Sequence, residues 1–242
     1  MSGVADSQSA VAEVTVVFTD LRASTRLYHE VGDEQAVASV VSHFAVLNEA
    51  FRAEGGVLVK TMGDAAMAVF ESPAAALRAV LSAQESLASG NRGRSLVLKA
   101  GIHHGPCISL PLNGRLDYFG STVNAAARLV GLASGHDVVV SGPVLGDPGT
   151  ADVLAERADA FRVDPLEAAL KGFDEERLEL WRVASIRDPL SAAAPNHDSG
   201  RTRWALSRRR RVGSARALPR ASMGRRGLAR SRACSHSVLV GG

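Results

Sequence analysis

The stretch VLVKTMGDAAMAVF, residues 57–70, sets two short apolar runs on either side of Met62-Gly63-Asp64. Runs this short, joined at a Gly-Asp pair, predict a β-hairpin with an aspartate at its tip. A β-branched and aromatic run, EVTVVFTD (13–20), precedes it and reads as a buried strand ending in Asp20. Between the two, Val37, Val40, Val41, Phe44, Leu47 and Phe51 recur at helical spacing, with a break at Gly32-Asp33 and a stop at Gly55-Gly56. Beyond the hairpin, Ser72 is a candidate cap with Pro73 at the first helical position of SPAAALRAVLSAQESLAS. SLVLKAGIHHG and PCISL then read as two strands, STVNAAARLVGLAS as a helix capped by Ser121, and DVVVSG as a strand. Strand, helix, hairpin, helix, strand is the order of an α+β, ferredoxin-like βαββαβ sandwich, expected here with helices on one face of a mainly antiparallel sheet. Residues near 160–184 would add a final hairpin turning at or near Lys171-Gly172.

At 242 residues and 46% hydrophobic, the chain has the size and composition of one domain with appendages. The predicted organisation is an extension over 1–12, a catalytic domain over 13–186, a linker over 187–200 rich in Pro, Ser and Asn, and a tail over 201–242. The formal net charge of +3 conceals a segregation. The tail holds 12 Arg and no acid, which leaves the first 200 residues with 16 basic and 25 acidic side chains, or −9. Lysines are few: Lys60, Lys99 and Lys171 stand against 25 arginines, so each invites the question of what a point charge does there that a planar fork would not. Cys107 and Cys234 are far apart and outside any zinc-like spacing, which excludes a disulfide framework and points to a reducing, cytoplasmic setting. No run reaches the roughly 18 apolar residues of a membrane span.

Asp20, at a strand end, and Asp64, at a hairpin tip, could meet if their strands are neighbours. Two carboxylates sharing a site repel unless a cation lies between them, and hard oxygen ligands suit Mg²⁺ or Mn²⁺ serving a phosphate substrate. The plainer alternative makes Asp20 a helix cap and Asp64 an ordinary turn residue. LRASTRL, after Asp20, opens a helix whose free N–H groups would suit a polyphosphate. Asn124 and Arg128 lie four apart and so share a helical face, either lining a cleft or forming a solvated polar stripe.

Taken in order, VVFTDLRAST, KTMGDAAMAVF, GIHHG, LDYFGSTVNAAARL and LKGFDEERLELW resemble the motifs of the class III adenylate/guanylate cyclase catalytic domain, over residues 13–184. The resemblance implies conversion of ATP to 3′,5′-cyclic AMP and pyrophosphate, with two Mg²⁺ or Mn²⁺ ions per site held by Asp20, Asp64 and the backbone carbonyl of Leu21. It further implies that Lys60 and Asp117 read the purine, that Asn124 and Arg128 orient the ribose and stabilise the transition-state phosphate, and that Lys171 binds the triphosphate. Lys60 is donor-only and Asp117 acceptor-only, which complements the N1 and N6 edge of adenine and favours ATP, although guanine could present O6 and N1–H to the same pair. Members of the family draw the metal aspartates from one subunit and the purine and ribose residues from the other, so a chain bearing both sets implies a homodimer with two composite sites.

Where the family has Gly, this chain has Ala23, and a positive φ there would cost Ala about 1 kcal/mol. His103 and His104 are expected to be structural. The Arg-rich tail raises nucleic-acid or anionic-membrane binding as a rival function; it is read instead as a disordered extension or a reading-frame product. Guanylate cyclase activity competes with the adenylate reading, and so does a catalytically weak domain that binds nucleotide as a regulator.

Overall fold

Strand β1 (Ala10–Leu21) is the axis on which the domain is built, and its pattern explains why. Val16 and Phe18 pack toward one face and Val17 toward the other, so both faces need cover. The computed structural model describes residues 10–90, 96–112, 114–135, 137–170 and 178–186. Lys171 and the predicted turn, the linker, the Arg-rich tail and the first nine residues lie outside the described residues.

After β1 come α1 (Ser24–Val31) and α2 (Asp33–Ala53), separated at Gly32, whose φ of 80° breaks the helix where the sequence predicts. The hairpin follows as β2 (Val57–Met62) and β3 (Ala65–Phe70), with Gly63 at φ 63° and Asp64 between them. Helix α3 (Pro73–Gly90) starts at Pro73, with the Ser72 hydroxyl accepting from Ala75 N at 3.4 Å. The two strands predicted over 95–110 are one, β4 (Leu98–Leu112), running through Pro106. Its carbonyl accepts from Thr122 Oγ1 at 2.7 Å. Because N–H and C=O of one strand residue face the same edge, the proline removes no donor from the ladder with β1.

A short β5 (Arg115–Phe119) pairs back on β4 and is followed by α4 (Ser121–Leu132), whose cap is Gly120 rather than Ser121. Then come β6 (Asp137–Ser141), α5 (Gly142–Leu145), α6 (Pro148–Glu156), β7 (Phe161–Leu166) and β8 (Leu180–Ser185). The sheet order is β2-β3-β1-β4-β6-β8-β7 with β5 hanging from β4, and every pairing is antiparallel except β4 with β6. The α+β, ferredoxin-like architecture stands as expected.

The distribution of helices differs from the one-face expectation. Leu47, Phe51, Leu77, Val80 and Leu81 from α2 and α3 join Val17, Ala66, Ala68 and Ile102 in the main core. Ala126 of α4 joins Val16, Phe18, Met67 and Val69 on the opposite face. The glycines of GIHHG permit this: a Cβ on Gly101 would fall 2.4 Å from Val130 N, and one on Gly105 would fall 2.9 Å from Thr122 Oγ1. Helix α4 therefore lies directly on the backbone of β4.

Candidate active site

Asp20 is the penultimate residue of β1, and β3 pairs beside it with Thr19 opposite Ala66. Continuing that register brings Asp20 opposite Ala65, so Asp64 stands one residue from it at the same end of neighbouring strands. The sequence expectation that these strands adjoin is met. On the other side Asp20 pairs with Lys99 of β4, and the Lys99 ammonium lies 3.5 Å from Asp20 Oδ2, at the limit of hydrogen-bond reach. Leu21, the last residue of β1, is buried.

Asp64 Oδ2 is buried and has no hydrogen-bond partner among the described residues. A buried carboxylate oxygen without a donor is costly, and a divalent cation would relieve it. Two carboxylates and a backbone carbonyl form a hard oxygen set, so these residues fit Mg²⁺ or Mn²⁺ better than a softer metal.

Immediately after β1 the chain turns through Ala23, which has φ 57° and ψ 34° and is the single non-glycine residue with positive φ among those described. It begins α1 without a side-chain cap, its carbonyl accepting from Arg26 N at 3.0 Å and Leu27 N at 3.3 Å. The first N–H groups of α1 thus open beside Asp20.

Lys60, on β2, donates to both carboxylate oxygens of Asp117, on β5, each at 2.8 Å. Its ammonium also lies 5.8 Å from the centre of the Phe119 ring. Burial pushes the Asp117 carboxyl up, but the hydrogen bonds from Lys60 and from Tyr118 N, at 2.8 Å, bring it below its ordinary value overall. The pair joins edge strand β2 to a hairpin that departs from β4, so the β4–β5 arm reaches across the sheet.

Asn124 and Arg128 both lie on the exposed side of α4, whose Thr122, Ala125, Ala126 and Leu129 are buried. Arg128 Nη1 approaches the Asn124 carbonyl at 3.4 Å. His103 is buried, bonded through Nδ1 to Ser141 Oγ at 2.7 Å, and burial pushes its pKa down to about 4. His104 bonds Thr15 Oγ1 through Nδ1 at 3.0 Å. Both histidines are thus engaged in joining strands, as the sequence reading expects.

Sequence reasoning assigns no role to Lys99. A signal is present in the scarcity of lysine, since Lys99 is the third of the three, but its register partner is a non-local fact. His43, buried in the middle of α2, carries no motif that would single it out.

The sequence profile of the adenylate and guanylate cyclase catalytic domain matches residues 7–164. An adenylate cyclase of Schizosaccharomyces pombe is 28% identical over 236 residues, covering 85% of this chain and 14% of the yeast protein. An uncharacterised protein of Mycobacterium tuberculosis is 34% identical over 172 residues, covering 71% of this chain and 42% of that protein. The chain therefore spans less than half the length of either relative. Among solved structures, the catalytic core of a rhodopsin-guanylyl cyclase with converted specificity, in complex with ATPalphaS, superposes with a TM-score of 0.62 at 21% identity, over 74% of this chain and 98% of that one. At that identity the likeness speaks for the fold. With the profile matching most of the chain and the sheet carrying the motifs in order, the protein belongs to the adenylate and guanylate cyclase catalytic domain family.

Proposed function

We propose that the protein is an adenylate cyclase, converting ATP to 3′,5′-cyclic AMP and pyrophosphate in a homodimer with two composite active sites. The observation that carries the choice of nucleotide is the Lys60–Asp117 contact, in which a donor-only and an acceptor-only group stand side by side. Adenine presents one acceptor and one amino donor to such a pair. Guanine, meeting it with O6 and N1–H, is the second reading.

In this proposal Asp20, Asp64 and the Leu21 carbonyl hold two Mg²⁺ or Mn²⁺ ions, which when bound would neutralise charge at the reacting phosphate and make the ribose 3′-hydroxyl more acidic. The α1 N-terminus, opened by Ala23, donates backbone N–H groups to the polyphosphate. Lys99 adds a cation next to Asp20, placed to meet the same anion. Lys171 would serve the triphosphate from beyond the described residues. Asn124 orients the ribose, and Arg128 offers a planar donor fork to the charge that gathers on the α-phosphate as the 3′-hydroxyl attacks it and pyrophosphate departs. No protein nucleophile takes part.

The homodimer reading is supported by the outward-facing Asn124 and Arg128, on the exposed side of α4, where a second copy could bring its nucleotide to them. Exposed Ile108, Leu112, Leu116 and Phe119 on the β4–β5 arm supply apolar surface for such a contact. The test is incubation of the purified chain with ATP or GTP and Mn²⁺, reading cyclic nucleotide, with light scattering for oligomeric state. Cyclic AMP from a dimer supports the reading; cyclic GMP alone would transfer it to the second reading, and no cyclic product from a folded dimer would end both.

A further inference from the structure

His43 is 1% exposed, and neither ring nitrogen has a hydrogen-bond partner among the described residues. Phe44 tilts against it with ring centres 5.6 Å apart. Burial pushes its pKa down to about 4, with the Asp64 charge acting in the opposite sense; neutral or charged, the ring carries at least one N–H donor. Thr19 Oγ1 and Asp64 Oδ2 are likewise buried and unpartnered among the described residues.

Topology explains the company these groups keep. Strands β1 and β2 both pair antiparallel with β3, so their C-terminal ends, at Leu21 and Met62, lie at one end of the sheet. Helix α2 must return from that end to the start of β2, and its Leu47 and Phe51 pack on the face that holds Val17, Ala66 and Ala68; buried His43, one turn before Leu47, therefore lies nearer the Asp64 end of that face, where the Asp64 charge acts on it. An apolar residue at 43 would spare the fold an unsatisfied imidazole. Donor and acceptor are complementary: imidazole N–H for His43, carboxylate oxygen for Asp64.

We propose that His43 is a positioning residue for Asp64: when a divalent cation binds, the His43 ring N–H takes the buried Oδ2 and fixes the carboxylate with its other oxygen toward the ion. The proposal rests on Asp20 and Asp64 being the cation ligands. Groups that hold a ligating carboxylate from behind commonly change metal affinity by roughly 10- to 100-fold when removed.

The test uses the whole chain with Mn²⁺ alone, free ion being counted by electron paramagnetic resonance. His43→Leu is expected to raise the Mn²⁺ Kd about tenfold or more, and His43→Gln, which keeps an N–H donor, to fall between it and wild type. A merely structural histidine would shift the melting temperature and leave Kd alone. Wild-type affinity in a folded His43→Leu, with binding weakened in Asp64→Ala, overturns the role of His43 and leaves the cation site standing. Equal binding by wild type and Asp64→Ala overturns the cation site and the proposal with it. A measurement on the unaltered protein decides the matter if the leucine variant does not fold: Mg²⁺ should move the ¹⁵N resonances of the His43 ring, and unmoved resonances at saturating Mg²⁺ overturn the proposal.

Discussion

Replacing Ala23 with glycine should make the protein more stable, whereas glycine in place of alanine inside a helix usually destabilises. Ala23 sits at φ 57°, ψ 34°, where the Cβ of an L-residue crowds the backbone at a cost of about 1–2 kcal/mol. Glycine removes that cost, while giving back about 0.4–1 kcal/mol through the greater freedom of the unfolded chain. The side chain is exposed, so little packing is lost with the methyl. The net gain is about 0.5–1 kcal/mol, which for a domain of this size corresponds to roughly 1–4 °C in Tm. Urea unfolding of wild type and Ala23→Gly, compared at equal m-value, measures it directly. A variant with a lower midpoint would refute the reasoning, since it would mean the left-handed turn is not held in solution. The backbone path into α1 is already the one glycine prefers, so cyclase activity should change little.

Asp64→Ala should abolish cyclic nucleotide formation while leaving thermal stability equal or slightly higher, because it deletes a buried acceptor that no described residue satisfies; retained activity with Mn²⁺ would remove Asp64 from the metal site. Exchanging the Lys60 and Asp117 pair for residues of different hydrogen-bonding character should change the ratio of ATP to GTP turnover, and an unaltered ratio counts against purine reading by this pair. Gly101→Ala should cost about 1–3 kcal/mol and lower activity, since its methyl would collide with the backbone of α4 at Val130 and Leu129 and lift the helix that carries Asn124 and Arg128. His103 titrates near 4 when folded and near 6.5 when unfolded, so the unfolded state binds more protons in that window and stability falls as pH drops through it, by up to about 1.4 kcal/mol per pH unit. Urea midpoints at pH 6.5 and pH 5 for wild type and His103→Gln test this, with equal pH dependence in the two proteins as the refuting result.

Much of the fold is legible in the sequence because its signals are local. The Gly63-Asp64 turn, the Gly32 break and the Pro73 helix start each follow from what one or two residues can do with their own backbone. Helices α5 and α6 escape such a reading because SGPVLGDPG looks like a loop. Pro148 in fact occupies the first turn of α6, where a missing N–H is harmless, and the Asp147 carboxylate accepts from Thr150 N at 2.9 Å. The five residues of β5, RLDYF, are too short and too polar to announce a strand without β4 beside them. For the candidate site, strand ends and the hairpin turn pick out Asp20 and Asp64, and the family resemblance adds Lys60 and Asp117, but neither reaches Lys99 or His43. Their placement depends on strand register and on which face of α2 meets the sheet, neither of which a linear pattern encodes.

The close seat of α4 on Gly101 and Gly105 has a further consequence. With one side of that helix committed to β4, Asn124 and Arg128 point away from their own sheet. If they act only on the nucleotide held by another copy, catalysis obeys mass action between chains. Well below the dimer Kd the rate should rise with the square of the protein concentration, and above it only in proportion. The amount of chain a cell makes would then act as an input to signalling, turning a modest change in synthesis into a larger change in cyclic nucleotide.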